Sequence, residues 1–589
     1  MSSETPTFIG EIQSVTGALV RVRLRDDLEA SLLLLKGRSY RVGQIGAFVR
    51  IPLGYVQLYG LCTEVGATAA PPNLNENFDG QARWLAVSLF GEAIGSSFER
   101  GVSQYPTIGD EVHLVLPGDL ETIYGSLRGD GKLNVGHVSA STSVPAGLNL
   151  NKLVSRHSAV VGSTGSGKSN FIGVLLGLLT ESRFPSARVL VIDPHGEYAA
   201  ASRNHGSVFR VSLTAEDGES LVVPYWALPF DQLLDLGFGQ MQPTAESAVR
   251  DLLTEKKRSA LTFLKNPPDP ENVTADTPIP FCIRNFWFEL DDYERRTLES
   301  RSPEVPAALI ERGNPLELKS NIYPSPGQGS SRPFKASVRG ISRQLEFLKN
   351  RISDSRFKFL FSPGERFTPD AEGKVKHDLD DLARAWVGND HPITVLDVSG
   401  IPSEVRSAIV GTMLQILYDF LFWSGDLPVS GRKQPLLVIL EEAHQYLPCG
   451  LQSGAHRIVT RIAKEGRKYG IGISVVTQRP SELDQTVLSQ CGTFVAFRMS
   501  NNSDRGVIKS SMPDELANLS SILPALRTGE ALIVGEAVPI PTRIRVREAE
   551  RKPTSTDPNV CDCWKKTTRP NPDHYATSLA RWRSQSMES

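Results

Sequence analysis

Ser158-Ala-Val-Val-Gly162-Ser-Thr-Gly-Ser-Gly167-Lys168-Ser169-Asn170 is the stretch that decides how this chain folds. Ser158–Gly162 is a short apolar run with paired valines, the pattern of a strand buried on both faces. Gly162, Ser163, Thr164, Gly165, Ser166, Gly167, Lys168 and Ser169 then match G-x-x-x-x-G-K-[ST], and Phe171–Leu179 continues as an apolar helix. Strand, glycine loop and helix in that order let backbone N–H groups and a helix N-terminus close around an anion. The spacing assigns Lys168 to the β- and γ-phosphates of a nucleotide and Ser169 to Mg²⁺. Asn170 ends the expected cofactor-binding stretch, and the expected cofactors are ATP and Mg²⁺.

Working outward, further continuous apolar strands follow at RVLVID (188–193), ITVLDVSG (393–400), LLVILEE (436–442), IGISVVTQ (471–478) and TFVAFRMS (493–500). Alternating with helical segments, they predict an α/β fold with a parallel sheet covered on both sides. ALIVG (531–535) and TRIRVRE (542–548) look like a terminal hairpin. Residues 1–140 read as a small β-barrel: FIGEIQ, ALVRVRL, GAFVRIPL, YVQLYGLCTEV, RWLAVSLFG and EVHLVL are short runs punctuated by Gly, Asp, Asn and Pro. Tyr55, Tyr59 and Trp84 there are either a stacking platform for nucleic acid or barrel-core or interface packing, and strand propensity favours packing. Residues 141–225 and 386–550 form the two parts of the core. Between them, 226–385 read as a helical insertion, with amphipathic helices at TAESAVRDLLTEKKRSALTFL and FKASVRGISRQLEFLKNRI separated by loops rich in Pro, Gly, Asn and Ser. The tail, 551–589, has little core-forming capacity.

The chemistry gathers at strand ends. Glu441 and Glu442 end an apolar strand, where two adjacent carboxylates are costly unless a cation or a reaction needs them. Glu441 is placed near Mg²⁺ and its waters, and Glu442 is the candidate for activating the attacking water. Gln478, in TQRP at the end of the next strand, is placed to orient water or sense the γ-phosphate, or else makes a structural hydrogen bond. Arg156 precedes the glycine-loop strand and Arg467 lies in KEGRKYG. Each is either a surface ion pair or a finger that forks two donors onto a neighbouring subunit's phosphate.

Together SRHSAVVGSTGSGKSN, VLVIDPHGEY, ITVLDVSGIPSE, LLVILEEAHQYLP, IAKEGRKYGIGISVVTQRPSELD and VLSQCGTFVAFRMSN, in this order over about residues 155–502, resemble the HerA branch of the FtsK–HerA superfamily of hexameric DNA-pumping ATPases. The resemblance implies a RecA-like P-loop NTPase core, a homohexameric ring with double-stranded DNA through a central pore, and ATP between subunits. It implies Lys168 and Ser169 as the P-loop pair, Glu442 as the catalytic acid, Gln478 as sensor, and Arg156 and Arg467 as arginines that reach a neighbour's nucleotide. Asp193, His195 and Glu197 match D-P-H-G-E-Y, and Asp193 is the one of the three placed near Mg²⁺. The barrel is similar to that family's cap. Relatives of this kind imply a separate nuclease or NAD-consuming effector, in antiviral defence or DNA end processing. The alternative reading is an ATP-regulated hexameric scaffold that activates such a partner with little translocation.

Composition bounds these readings. The 589 residues carry 64 Lys and Arg against 66 Asp and Glu, so a diffuse basic surface is excluded and any nucleic-acid binding has to be concentrated locally. In a ring, a few basic residues per chain can line a strongly positive channel. The 6 cysteines are mostly far apart, the usage of a reduced, cytoplasmic protein. Cys561 and Cys563, with His574 downstream, lack the two paired ligand sets of a zinc site. No signal peptide is visible. AIVGTMLQILYDFLFW (408–423), interrupted by Gln415 and Asp419, reads as a buried amphipathic helix, and no membrane partner is expected.

Overall fold

Two kinds of sequence pattern build two cores. The alternating runs of the first 114 residues close into a barrel, and the continuous apolar runs that follow form a large sheet. In this computed structural model the described residues are 6–28, 32–35, 37–67, 83–125, 131–139, 141–181, 183–202, 204–211, 218–450, 453–511, 514–554, 560–565 and 571–584.

The barrel strands pair antiparallel in the order Leu19–Leu24, Phe8–Thr16, Glu111–Leu114, Phe48–Leu53, Val56–Ala67 and Arg83–Ile94, and the last closes on the first. Ser97–Arg100 adds outside the closed ring of six. Inward-facing Ile12, Val20, Val22, Ile51, Leu58, Leu85, Val87 and Val112 are fully buried and form their own cluster. Closure removes the open edges that a sheet of short strands would otherwise expose. Tyr59 is buried in the larger core outside the barrel while Tyr55 is 77% exposed, so Tyr55, Tyr59 and Trp84 do not make one stacking platform. Tyr59 instead packs edge-on against Phe98 and donates to Asp119 at 3.3 Å.

The large sheet has twelve strands. In chain order they are β1 (Lys132–Val138), β2 (Ser141–Asn149), β3 (Ser158–Val161), β4 (Val189–Asp193), β5 (Gly206–Arg210), β6 (Glu219–Ser220), β7 (Ile393–Asp397), β8 (Leu436–Leu440), β9 (Ile471–Thr477), β10 (Thr493–Phe497), β11 (Glu530–Gly535) and β12 (Thr542–Val546). Their spatial order is β2-β1-β12-β11-β10-β3-β9-β8-β4-β7-β5-β6. From β10 to β6 every neighbour is parallel. The expected terminal hairpin, β11–β12, extends this sheet antiparallel from β10 and carries β1 and β2 beyond it. All residues of β3, β4, β7, β8, β9 and β10 are buried, as strands sandwiched between helices must be.

The P-loop helix α1 (Lys168–Leu179) and α2 (Ser403–Trp423) are among the covering helices. By length and composition α2 could cross a membrane, but Ile409, Val410, Met413, Leu414, Leu417 and Tyr418 are packed in the core. Its polar interruption is self-contained: the Gln415 amide donates to Asp419 at 2.7 Å.

The insertion contains helices at Pro243–Ser259, Ile283–Arg295, Ser342–Ser353 and Leu379–Val387, and also a small antiparallel sheet of Thr297–Arg301, Glu304–Pro306 and Phe334–Lys335. The helix expected from Phe334 onward starts only at Ser342. Gly340 adopts φ 74°, and Glu294 accepts the Arg339 and Gly340 N–H groups at 2.5 and 3.1 Å, so those amides belong to a turn. In the tail, Val560–Trp564 and Pro572–Ser584 are exposed helices that carry Cys561, Cys563 and His574. Among the described residues, no group of His, Cys, Asp and Glu is arranged to hold a metal ion.

Candidate nucleotide-binding and hydrolysis site

Parallel strands bring their carboxyl ends to one edge, and the candidate residues leave the sheet there. The glycine loop follows β3, Asp193 ends β4, Asp397 ends β7, Glu441 and Glu442 follow β8, and Gln478 follows β9. β3 is paired with both β9 and β10, so the loop opens beside Gln478 on one side and Arg498 on the other. Ligands bind at such an edge because loops and helix N-termini converge on it.

The loop is held by the strands around it. Ser163 donates through its N–H and its hydroxyl to the Arg498 carbonyl, both at 2.9 Å. Thr164 donates its hydroxyl to Gln478 Oε1. Gly162 takes φ 157°, and a Cβ there would lie 2.6 Å from Phe497 Cβ, so no other residue fits. Gly167, at φ 120°, caps α1 and leaves the first amides of the helix free for an anion.

Lys168 is folded back over the loop, with Nζ donating to the carbonyls of Gly162 at 2.9 Å and Ser163 at 3.3 Å. Burial lowers its pKa, and the charges of Glu442, Glu441 and Glu197 oppose that shift. Ser166 Oγ is buried without a hydrogen-bond partner. Asn170, expected among the cofactor-binding residues, has its side chain committed elsewhere. Its amide donates to the Arg547 carbonyl at 2.8 Å and its oxygen accepts the Ala549 N–H at 2.9 Å, tying α1 to the chain beyond β12.

The carboxylates divide into three environments. Asp193 is fully buried and accepts three backbone N–H groups: His195 at 3.1 Å and Gly196 at 2.8 Å on Oδ1, and Tyr198 at 2.9 Å on Oδ2. D-P-H-G-E-Y is therefore a turn folded around its own aspartate, which turns Asp193's acceptor capacity inward and delivers Tyr198. The Tyr198 hydroxyl donates to Glu441 Oε2 at 2.9 Å, and Tyr446 donates to the Glu441 carbonyl. Burial pushes the Glu441 carboxyl up to about 8; nearby Glu442 and Asp193 push the same way, while Tyr198 and Lys168 oppose. His195 is more peripheral, 3.4 Å from the Gln445 amide, and the Glu197 carbonyl accepts the Thr554 N–H at 3.0 Å.

Glu442 stands in the left-handed region, φ 47° and ψ 46°, which is unusual for a non-glycine residue. The kink turns it out of the line of β8, so the two adjacent carboxylates need not share one direction. Glu442 Oε2 is buried and has no hydrogen-bond partner by geometry; His444 Nδ1 is 3.2 Å away. Sequence reasoning passed over Tyr198, His444 and Tyr446. The signal available for them was their position inside the same D-P-H-G-E-Y and E-E-A-H-Q-Y runs as the acidic residues.

The two arginines lie at the other end of the strands. Arg156 precedes β3, with Nε 3.4 Å from Glu536, and Arg467 lies in the turn just before β9. Since β9 alone is seven residues long, Arg467 is roughly 20 Å along the sheet from Gln478. Arg467 borders a cavity of about 670 Å³ at this amino edge, together with Arg183, Arg188 and Arg432. Neither arginine is brought to the glycine loop of its own chain.

Residues 133–417 match the family model described as Helicase HerA, central domain. A probable helicase of Methanocaldococcus jannaschii is 27% identical over 435 residues, covering 73% of each chain. The DNA double-strand break repair helicase HerA of Saccharolobus solfataricus is 24% identical over 551 residues, 91% of this chain and 93% of that protein. That of Pyrococcus furiosus is 25% identical over 496 residues, 78% of each. Among solved structures, VirB4 of Thermoanaerobacter pseudethanolicus superposes with a TM-score of 0.47 at 15% identity, covering 72% of this chain and 98% of that one. The glycine loop, acidic pair and D-P-H-G-E-Y turn are thus set on one sheet edge, residues 133–417 match the HerA helicase central domain, and the chain is similar to HerA helicases along most of its length.

Proposed function

We propose that this chain is an ATPase that uses Mg²⁺ and ATP to translocate along or unwind double-stranded DNA. The observation that carries the reading is the convergence of Lys168, Ser169, Glu441, Glu442 and Gln478 on the carboxyl edge, with Arg156 and Arg467 held at the amino edge. One chain thus has half of a phosphoryl-transfer site at each edge, which suits a homohexameric ring with the nucleotide between subunits. The names of the curated relatives, DNA double-strand break repair helicases, support DNA as the track.

The residues present fit the nucleotide and its ion. Ser166 Oγ and Glu442 Oε2 are buried polar atoms without partners, and such atoms are costly unless a ligand meets them. Ser169 and Glu441 would hold Mg²⁺, with Asp193 behind them organising the turn; the ion supplies charge neutralisation for the β- and γ-phosphates. The loop amides of Thr164 and Gly165 and those that open α1 cradle the phosphates, with Asn170 contributing its backbone and not its side chain, while the Gly162, Ser163 and Ser166 N–H groups bond within the chain. Lys168 leaves the Gly162 and Ser163 carbonyls for the phosphate oxygens. Glu442 accepts a proton from the attacking water, and Gln478 orients that water. Arg467 and Arg156 of one subunit stabilise the charge on the phosphate bound by the next.

In this reading the double-stranded DNA passes through the ring's central pore, in the cytoplasm, and a separate nuclease or other effector acts with the ring in DNA end processing or antiviral defence. The test is the steady-state ATPase rate with and without duplex DNA, alongside Lys168→Ala. Strong stimulation by duplex DNA, abolished by Lys168→Ala, is expected. A rate indifferent to DNA would overturn the motor reading.

A further inference from the structure

His444 is two residues beyond Glu442, in the short helical turn that follows β8. Its side chain is 11% exposed, as is that of Glu442. Its Nδ1 lies 3.2 Å from Glu442 Oε2 and 3.0 Å from Thr477 Oγ1. Glu442 Oε2 makes no aligned hydrogen bond with the chain, so its approach to His444 Nδ1 is a close charge–dipole contact and not a formed hydrogen bond. Thr477 is the last residue of β9, is fully buried, and also accepts the Arg479 N–H at 3.1 Å. Gln478 comes next, and its Oε1 accepts the Thr164 hydroxyl from the glycine loop. One imidazole nitrogen therefore stands between the acidic residue at the end of β8 and the end of the neighbouring strand.

The tautomer follows from the surroundings. An Nδ1 lone pair facing a carboxylate oxygen at 3.2 Å would be repulsive, whereas an Nδ1–H bonded to Thr477 Oγ1 sets a positive end beside that oxygen. Glu442 also sits in a left-handed conformation, which a non-glycine residue keeps only where its surroundings fix it.

We propose that His444 is a positioning residue whose Nδ1–H, bonded to Thr477 Oγ1, keeps Glu442 Oε2 beside it by charge–dipole attraction, so that Glu442 and the Gln478-bearing end of β9 keep one set separation. The proposal rests on the reading of Glu442 as the group that accepts the water's proton. A continuous set of side-chain contacts then runs from Glu442 through His444 to Thr477, and from the adjoining Gln478 to Thr164 in the glycine loop. A shift of the loop on nucleotide binding reaches Glu442 through Gln478 and the end of β9.

The test uses the full chain, with kcat and KM for ATP measured in saturating duplex DNA, and thermal unfolding recorded for each variant. His444→Asn places an amide N–H near the Nδ1 position, while His444→Gln places it near Nε2, out of reach of Glu442. His444→Ala and His444→Gln should lower kcat about 10–100-fold with KM within about twofold, as expected for a displaced base, and His444→Asn should recover most of the loss. Thr477→Val should cost less in the His444→Ala background than in the parent, because the two act through one contact. Equal activity of the Asn and Gln variants, a kcat within twofold of the parent for His444→Gln, or additive losses with Thr477→Val would each overturn the proposal. Glu442→Gln is measured in parallel. If it stays active the reading of Glu442 falls; if it is inactive while His444→Gln is fully active, only the role of His444 falls.

Discussion

The Tyr198 hydroxyl donates to Glu441 Oε2 at 2.9 Å, and the two residues are 0% and 3% exposed. The tyrosine arrives from β4 and the glutamate from β8, neighbouring strands in the sheet. Tyr198 is itself placed by Asp193, which accepts its N–H.

Tyr198→Phe removes that donor with almost no change of shape and leaves a buried carboxyl without its side-chain partner. Stability should fall by about 1–3 kcal/mol, read as a lower melting temperature. If Glu441 helps to hold Mg²⁺, the Mg²⁺ concentration giving half-maximal ATPase should rise several-fold. An unchanged Mg²⁺ dependence would remove Glu441 from the ion's surroundings and leave it a structural role.

His157 is buried just before β3, and its Nδ1 accepts the Ile473 N–H at 3.1 Å. Burial holds its pKa down at about 4. Between about pH 4 and 6.5 the unfolded chain takes up a proton here that the native chain refuses. Its stabilising contribution is therefore complete above pH 6.5, falls as pH drops toward 4, and levels off below; the whole effect is at most about 3 kcal/mol. His157→Asn suits the φ of 50° and does not titrate, so its stability should fall less steeply over that window in denaturant titrations at stepped pH.

Arg467→Ala and Lys168→Ala should each lose ATPase activity, by about 10³-fold for an arginine that meets the transferred phosphate. The chain's own glycine loop is at the opposite sheet edge from Arg467, so mixing the two inactive variants should restore part of the activity. In the proposed ring, mixing sets an intact loop on one subunit against an intact Arg467 on the next. A mixture as inactive as its components would mean that both residues serve one subunit's site.

Asn170→Ala deletes the bridge to the Arg547 carbonyl and the Ala549 N–H. The expected loss is about 1–2 kcal/mol of stability with nucleotide affinity nearly unchanged, measured by thermal unfolding and by equilibrium binding of an ATP analogue. A large drop in affinity with unchanged stability would return the side chain to the nucleotide.

The glycine loop, the parallel strands around it and the barrel strands were legible because each depends on local pattern. Fully apolar runs have to be covered on both faces, and glycines at Gly162 and Gly167 have to take conformations closed to other residues. The start of the Ser342–Ser353 helix was misplaced because the deciding contact, Glu294 on the Arg339 and Gly340 amides, comes from 45 residues away. The aromatic residues of the barrel show the same limit: spacing put Tyr55, Tyr59 and Trp84 on strands or turns but could not say that Tyr59 points out of the barrel into the larger core.

By itself the sequence determined which residues could do chemistry and on which strands they ride, since motif spacing and hydrophobic period are properties of neighbours along the chain. Only the tertiary structure decided how they divide. It turned Asp193 and Asn170 to backbone partners, set Tyr198 on Glu441 and His444 between Glu442 and Thr477, and left Arg156 and Arg467 a sheet's length from the glycine loop. Each of those outcomes depends on which strand pairs with which, and a buried polar atom takes whatever partner that pairing brings within about 3 Å.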